Sequence, residues 1–175
     1  MGQTHAVAGA CAAAAVLAAL HPPLAAHAVG LAAGAAAALL PDVDEPGSTV
    51  SRKLIVVGPA VAGALRHRTA THSLAAAAGA VLALRGIWPG VPEWLLGSVA
   101  AGYVSHLVAD ALTPEGAMWF WPLLGWRVSL TGWLPGGLSR ACATGGTLER
   151  VLWRPLFFLG AVAFTLPVPG PAARW

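Results

Sequence analysis

Charge is scarce in this chain. Asp, Glu, Lys and Arg make up 10% of its 175 residues, against roughly 25% in an ordinary soluble domain. Lys53 is the single lysine, and the arginines form no stripe or basic helix, so a nucleic-acid partner is excluded. Cys11 and Cys142 lie far apart with no CxxC, which removes support for a thiolate zinc site. No Gly-rich phosphate loop and no GxSxG elbow is present, so neither a nucleotide fold nor a serine hydrolase of that type is indicated. Met1 to His5 carries no Lys or Arg. The apolar stretch after it therefore lacks the charged head of a signal peptide, and a retained first helix is expected despite the small residues Ala25, Ala26 and Ala28.

Apolar residues, by contrast, make up 57% of the chain, with 21 Gly besides. Disorder is excluded by that content, and the mean hydropathy of +0.70 argues against a soluble enzyme. Five apolar runs can be drawn: Ala6–Leu20, Leu24–Leu40, Ser73–Trp88, Trp94–Leu112 and Val151–Val168. A membrane span needs about 20 residues, so several runs sit near the lower limit. Their Ala and Gly content predicts a thin bundle of closely approaching helices. A sixth run, Leu54–Leu65, makes only about 18 Å of helix and is expected to lie at the interface or re-enter. The expected fold is thus an all-α polytopic bundle of about five spans plus one short interfacial or re-entrant helix. Residues 1–175 form a single membrane-embedded domain in this reading.

The connections alternate. His21-Pro22-Pro23 and the Trp88–Glu93 turn are short, whereas Pro41–Lys53, Arg66–His72 and Thr113–Arg150 are longer and hold most of the charge. Following the chain up and down brings His5, Asp42, Asp44, His67, His72, His106 and Asp110 to one membrane face. Arg52, Lys53, Arg66, Arg68, Arg127, Arg140, Arg150 and Arg154 fall on that side, and Arg85 and Arg174 on the other. The excess of positive charge places the clustered face in the cytoplasm. Trp119, Trp121, Trp126 and Trp133 mark that interface, and Trp88 and Trp94 the opposite one.

Three motifs carry chemistry. In Ser105-His106-Leu107-Val108-Ala109-Asp110 the His and Asp are four apart, on one helix face and suited to a shared metal ion. The bland reading is a stabilising His–Asp hydrogen bond, but an ionisable group inside an apolar run costs about 2.5–3.5 kcal/mol on insertion scales, which favours a functional partner. In His67-Arg68-Thr69-Ala70-Thr71-His72-Ser73 the histidines converge only if His67 is in the loop and His72 opens the next helix. Thr71 is the expected N-cap, with free N–H groups facing an anion such as phosphate. A pair of solvated loop histidines is the alternative there. In Pro41-Asp42-Val43-Asp44-Glu45-Pro46, alternate carboxylates can turn to one side, where oxygen ligands and imidazoles together suit Zn, Mn or Fe(II). An acidic turn is the ordinary alternative. His5 at the first helix start completes the set, while His21 and His27 are read as structural. Seven candidate ligands exceed the needs of one ion, so one or two ions are expected.

These stretches together resemble a bacterial inner-membrane group, the YdjM-like family, described as membrane-bound metal-dependent hydrolases. The resemblance rests on Thr4-His5, Leu40-Pro41-Asp42-Val43-Asp44, His67-Arg68 with Thr71-His72-Ser73, and Gly102-Tyr103-Val104-Ser105-His106 through Asp110, Thr113 and Gly116 to Trp121-Pro122-Leu123. It covers about residues 4–125 and leaves 126–175 as a divergent C-terminal part. It implies a metal site built from His5, Asp42, Asp44, His67, His72, His106 and Asp110. The order of His and Asp is also loosely similar to zinc-dependent phospholipase C, a helical enzyme with a multi-zinc site.

The expected function is metal-assisted hydrolysis of a phosphoester, such as a lipid phosphate, in a multi-pass protein of the bacterial cytoplasmic membrane. Zinc is the expected ion, with Mn or Fe as alternatives, and the partner is membrane lipid. Asp44 would act as general base, and Arg52 and Arg68 would grip the phosphate by their guanidinium forks. Two other classes stay open: a transporter or channel for metal ions or protons, and a structural membrane protein with a stabilising metal. The sequence assigns no oligomeric state.

Overall fold

The computed structural model describes residues 2–45, 48, 70–143 and 145–165. Its helices are α1 (Gly2–Leu20), α2 (Leu24–Ala37), α3 (Leu74–Ile87), α4 (Glu93–Ala111), α5 (Gly136–Cys142) and α6 (Arg154–Thr165). A 3-10 turn covers Pro41–Asp44, and a π turn, Glu149–Trp153, leads into α6. Among the described residues there is no strand, only an isolated antiparallel bridge between Ala117 and Val128. The described residues are therefore all-helical in class, and each of the five apolar runs carries a helix. Among the described residues two stretches, Gly2–Leu20 and Leu24–Asp44, are long and apolar enough to cross a membrane, while Leu74–Ile87 is apolar but has 14 residues. The run Leu54–Leu65 lies outside the described residues.

Alanine has the strongest intrinsic helix preference, and α1 and α2 are built largely from it. The break between them is chemical: Pro22 and Pro23 cannot continue α1, and Pro23 sits at the N-cap of α2. His21 ends α1 in the left-handed region, at φ 49°, and its N–H returns to the Leu17 carbonyl at 3.0 Å. At the opposite end, α3 is capped by Ser73, whose Oγ accepts from the Ala76 N–H at 3.1 Å. The expected cap, Thr71, is two residues short of that position because its hydroxyl is engaged elsewhere, as described below.

The core is set by backbone contact. Helix α1 packs on α2, α4 and α6; α2 also packs on α4, and α3 on α4. At the crossing of α1, α2 and α4 stand Gly9, Gly34 and Gly102. A Cβ on Gly102 would meet the Gly34 backbone, and one on Gly9 would meet the Gly34 carbonyl and the Ala38 methyl. Only hydrogen at these positions permits such an approach, as small residues do between membrane helices. Gly9 lies one helical turn from His5 and Gly102 one turn from His106, both in the polar cluster, and Gly34 lies one turn from Ala38, whose carbonyl meets His106 Nδ1. The glycine crossing thus fixes the separation of the helix ends that carry the cluster.

Leu17 and Leu107 are buried, but many other large apolar side chains point outward. Leu24, Leu82, Ile87, Phe158 and Leu159 are all exposed, and α6 buries none of its residues. An apolar exterior of this kind marks a surface that meets a membrane or another protein.

Candidate metal centre

Four helix ends meet at one end of the bundle. His5 enters from the first turn of α1, Asp42 from the 3-10 turn after α2, His72 from just before α3, and His106 and Asp110 from the last turns of α4. All are buried except Asp42, whose side chain is 13% exposed and is the part of the cluster reached from outside. The His106 ring stacks on His5, with centroids 3.9 Å apart and planes 22° from parallel, and meets His72 edge-on at 4.9 Å.

All three imidazoles present Nε2 to the carboxylates. His5 Nε2 lies 3.8 Å from Asp110 Oδ1. His72 Nε2 lies 3.5 Å from Asp110 Oδ2 and 3.9 Å from Asp42 Oδ1. His106 Nε2 lies 3.7 Å from each of the same two oxygens. The outer nitrogens of His106 and His72 are anchored separately. His106 Nδ1 donates to the Ala38 carbonyl at 2.7 Å. Thr71 Oγ1 donates to Asp44 Oδ2 at 2.6 Å and lies 3.0 Å from His72 Nδ1, whose proton it accepts. Tyr103 holds that loop by donating to the Thr71 carbonyl at 2.7 Å. These contacts put the proton on Nδ1 of His72 and His106 and aim an Nε2 lone pair inward.

Those spacings fit a cation. They exceed hydrogen-bond length, about 2.7–3.2 Å for N–H···O. Two donors each about 2.0–2.2 Å from one tetrahedral ion stand about 3.4 Å apart, close to the observed values. His106 Nε2 is buried with no hydrogen-bond partner among the described residues. Two ligand triads satisfy the convergence, His5–Asp42–His106 and His72–His106–Asp110, each with its donor atoms within 4.8 Å. His106 belongs to both. The donor set of imidazole and carboxylate is that of zinc, manganese or iron.

Of the seven expected ligands, the structure brings His5, Asp42, His72, His106 and Asp110 together. His67, with Arg52 and Arg68, lies outside the described residues. Asp44 stands on the far side of His72, 3.7 Å from its Nδ1. The expectation that Asp42 and Asp44 share a side presumes an extended chain. The segment is instead a 3-10 turn of three residues per turn, which sets the two about 240° apart. The expected anion site at the α3 N-terminus is likewise occupied by the protein itself: Leu74 N–H donates to the Trp119 carbonyl at 2.9 Å, and Ala76 N–H to Ser73.

Sequence reasoning overlooked Glu149. It is buried, accepts from the Thr4 hydroxyl and the Gly145 N–H, and lies 3.6 Å from Arg154. Burial pushes its pKa up, but the Thr4 and Gly145 hydrogen bonds and the Arg154 charge prevail and hold it below the usual carboxylate range. Its partner Thr4 is 145 residues away, and no local motif links the two.

The chain matches the family described as YdjM inner membrane protein over residues 1–166. It is 36% identical over 144 residues to inner membrane protein YdjM of Escherichia coli (strain K12), covering 78% of this chain and 67% of that protein. The Shigella flexneri protein of the same name gives the same figures. No solved structure matches the chain. With buried His and Asp gathered at the helix ends of an apolar, all-helical chain, and the family matched along nearly its whole length, this chain belongs to the YdjM inner membrane protein family.

Proposed function

We propose that this chain is a multi-pass membrane hydrolase dependent on a divalent metal ion and acting on a phosphoester at the cytoplasmic interface, such as a lipid phosphate. The observation that carries the reading is the set of five Nε2-to-carboxylate separations of 3.5–3.9 Å, a spacing suited to ligands of a common ion. His5, Asp42, His72, His106 and Asp110 would hold it, with His67 as a further ligand. A divalent ion there supplies Lewis acidity towards a phosphoryl oxygen and acidifies water near neutral pH. Groups of three protein ligands leave coordination positions for substrate, whereas structural sites close them.

The residues of the chain divide the remaining work. Asp42, the cluster member with outside access, marks the side from which substrate would reach the ion. Asp44, the expected general base, also holds His72 through Thr71 and so fixes the lone pair it presents. Arg52 and Arg68 contact the phosphate through bidentate hydrogen bonds. The five-span topology, with residues Arg52, Lys53, Arg66, Arg68, Arg127, Arg140, Arg150 and Arg154 on the cytoplasmic side, is supported by the positive-charge bias. A transporter would place its ligands near the midplane; here they sit at helix ends.

The test is hydrolysis by zinc-reconstituted protein in mixed micelles, on phospholipids and a phosphodiester panel, with a chelator arm and a His106→Ala arm. The reading requires turnover that both arms abolish. Activity that survives chelation, or a zinc-loaded protein inert on the whole panel, overturns it.

A further inference from the structure

His5 differs from the other two histidines in what holds its outer ring nitrogen. His106 Nδ1 is fixed by the Ala38 carbonyl and His72 Nδ1 by Thr71. His5 Nδ1 is buried and has no hydrogen-bond partner among the described residues, although the residue is only 3% exposed. Metal-ligating histidines almost always donate that second N–H to a carboxylate, a carbonyl or a water. A cavity of about 20 Å³ adjoins the ring, lined by His5, Thr4, Cys142, Glu149 and Trp153 among others. Trp153 lines the same cavity, and its buried Nε1 likewise finds no acceptor among the described residues. Two residues with such donors thus line one small space together with Glu149.

We propose that this cavity binds one water molecule, which accepts from His5 Nδ1 and Trp153 Nε1 and donates to Glu149, making Glu149 a positioning residue for the metal centre. The volume suits a single water, which needs about 10–15 Å³ and two to four polar partners. It is too small for a lipid headgroup. A carboxylate offers about four acceptor sites, so the bridge adds to the bonds Glu149 receives from Thr4 and Gly145. The C-terminal segment then completes a centre whose ligands come from the first 110 residues. The inference rests on the metal reading above, because the orientation of His5 matters only if its Nε2 is a ligand.

Three variants test it, each read by zinc affinity in chelator competition and by the visible spectrum of the cobalt(II)-substituted protein. Glu149→Ala removes the acceptor and is expected to weaken zinc about 10–100-fold, the usual effect of losing such a partner, and to shift the cobalt spectrum. Cys142→Met crowds the cavity while leaving Glu149 in place, and should do the same. Gln3→Ala breaks an arm of the clamp between α6 and α1, since Arg154 donates to Gln3 Oε1 at 3.2 Å. It leaves the cavity intact and should keep zinc affinity and spectrum near those of the parent. If Glu149→Ala fails to fold, Cys142→Met decides. Parent-like zinc binding in Glu149→Ala or in Cys142→Met overturns the inference, as does an equal loss in Gln3→Ala, which would make the effect a matter of helix clamping. A parent protein that binds no zinc would instead overturn the metal reading itself.

Discussion

Gly102→Ala should damage the metal centre from one helical turn away. An ideal Cβ at this position stands 2.7 Å from Gly34 Cα and 2.8 Å from Gly34 C, whereas carbon atoms rest about 3.5–4.0 Å apart. Both neighbours are backbone, so no flexible side chain can yield. Helices α2 and α4 must part by roughly 1 Å to restore ordinary contact. Overpacking of this kind costs about 1–3 kcal/mol. The same displacement acts on the bond from His106 Nδ1 to the Ala38 carbonyl, because His106 and Ala38 each lie four residues beyond the clashing glycines. Its length of 2.7 Å would grow to roughly 3.7 Å, beyond hydrogen bonding. Loss of such an outer partner lowers metal affinity about 10–100-fold.

The assay pairs thermal unfolding in detergent with zinc titration against a chromophoric chelator. Gly79→Ala is the control, since a Cβ there meets nothing within 4 Å among the described residues. Alanine also favours the helix by about 1 kcal/mol over glycine. Gly102→Ala is expected to melt lower and bind zinc more weakly, and Gly79→Ala to do neither. Parent-like behaviour of Gly102→Ala in both measurements would refute the glycine crossing. A lower melting point with parent-like zinc affinity would refute its coupling to the centre.

Other expectations follow from the same geometry. His106→Ala and Asp110→Ala should each lose most bound zinc by elemental analysis, whereas His27→Ala should not, because His27 is at the opposite end of α2; equal metal content in all three would return His106 and Asp110 to a merely structural pairing. Cysteines introduced at Ser48 and Gly90, in a chain without Cys11 and Cys142, should label from opposite sides of the membrane, and labelling from one side would sink the proposed topology. Asp44→Asn should fold and weaken zinc about 10-fold or more, since an uncharged amide holds the Thr71–His72 pair less firmly; reduced turnover with parent-like zinc affinity would assign Asp44 to proton transfer instead.

The helices were legible because apolar runs and Pro-rich breaks are local signals. The convergence of His5, Asp42, His72, His106 and Asp110 was legible from helix parity, which needs only the number of crossings between them. Orientation within the cluster was not. Whether Asp44 faces the inner or outer edge of His72 depends on the 3-10 geometry of Pro41–Asp44, and alternate spacing alone suggests the opposite result. The cap at α3 was displaced from Thr71 to Ser73 because the Thr71 hydroxyl is committed to Asp44 and His72, a tertiary contact across 27 residues. The Ala38 carbonyl is invisible to any reading of side chains. Glu149 was missed because its meaning lies in a contact with Thr4 at the other end of the chain.

Zinc should also determine the stability of the bundle. In His106, Nδ1 donates to the Ala38 carbonyl, so a neutral ring turns an Nε2 lone pair towards carboxylate oxygens 3.7 Å away. Lone pairs facing carboxylates repel unless a cation lies between them. A protonated ring would relieve the repulsion by drawing a carboxylate to about 2.7–2.9 Å, the length of a charge-assisted bond. Asp110 Oδ2 is instead nearly equidistant from two imidazoles, 3.5 Å from His72 and 3.7 Å from His106. Equidistance suits a shared ion, whereas a proton would favour one partner. An ion that binds only the folded state stabilises it by about 2.7 kcal/mol at a concentration 100 times its dissociation constant. Chelator treatment should therefore lower the melting temperature of the parent protein in detergent, and added zinc should restore it. His27→Ala should respond in the same way, while His106→Ala, already without most of its metal, should barely respond to either. A parent protein whose melting temperature ignores both chelator and zinc would show that the five residues pack as a hydrogen-bonded cluster, and the metal reading would fall with that result.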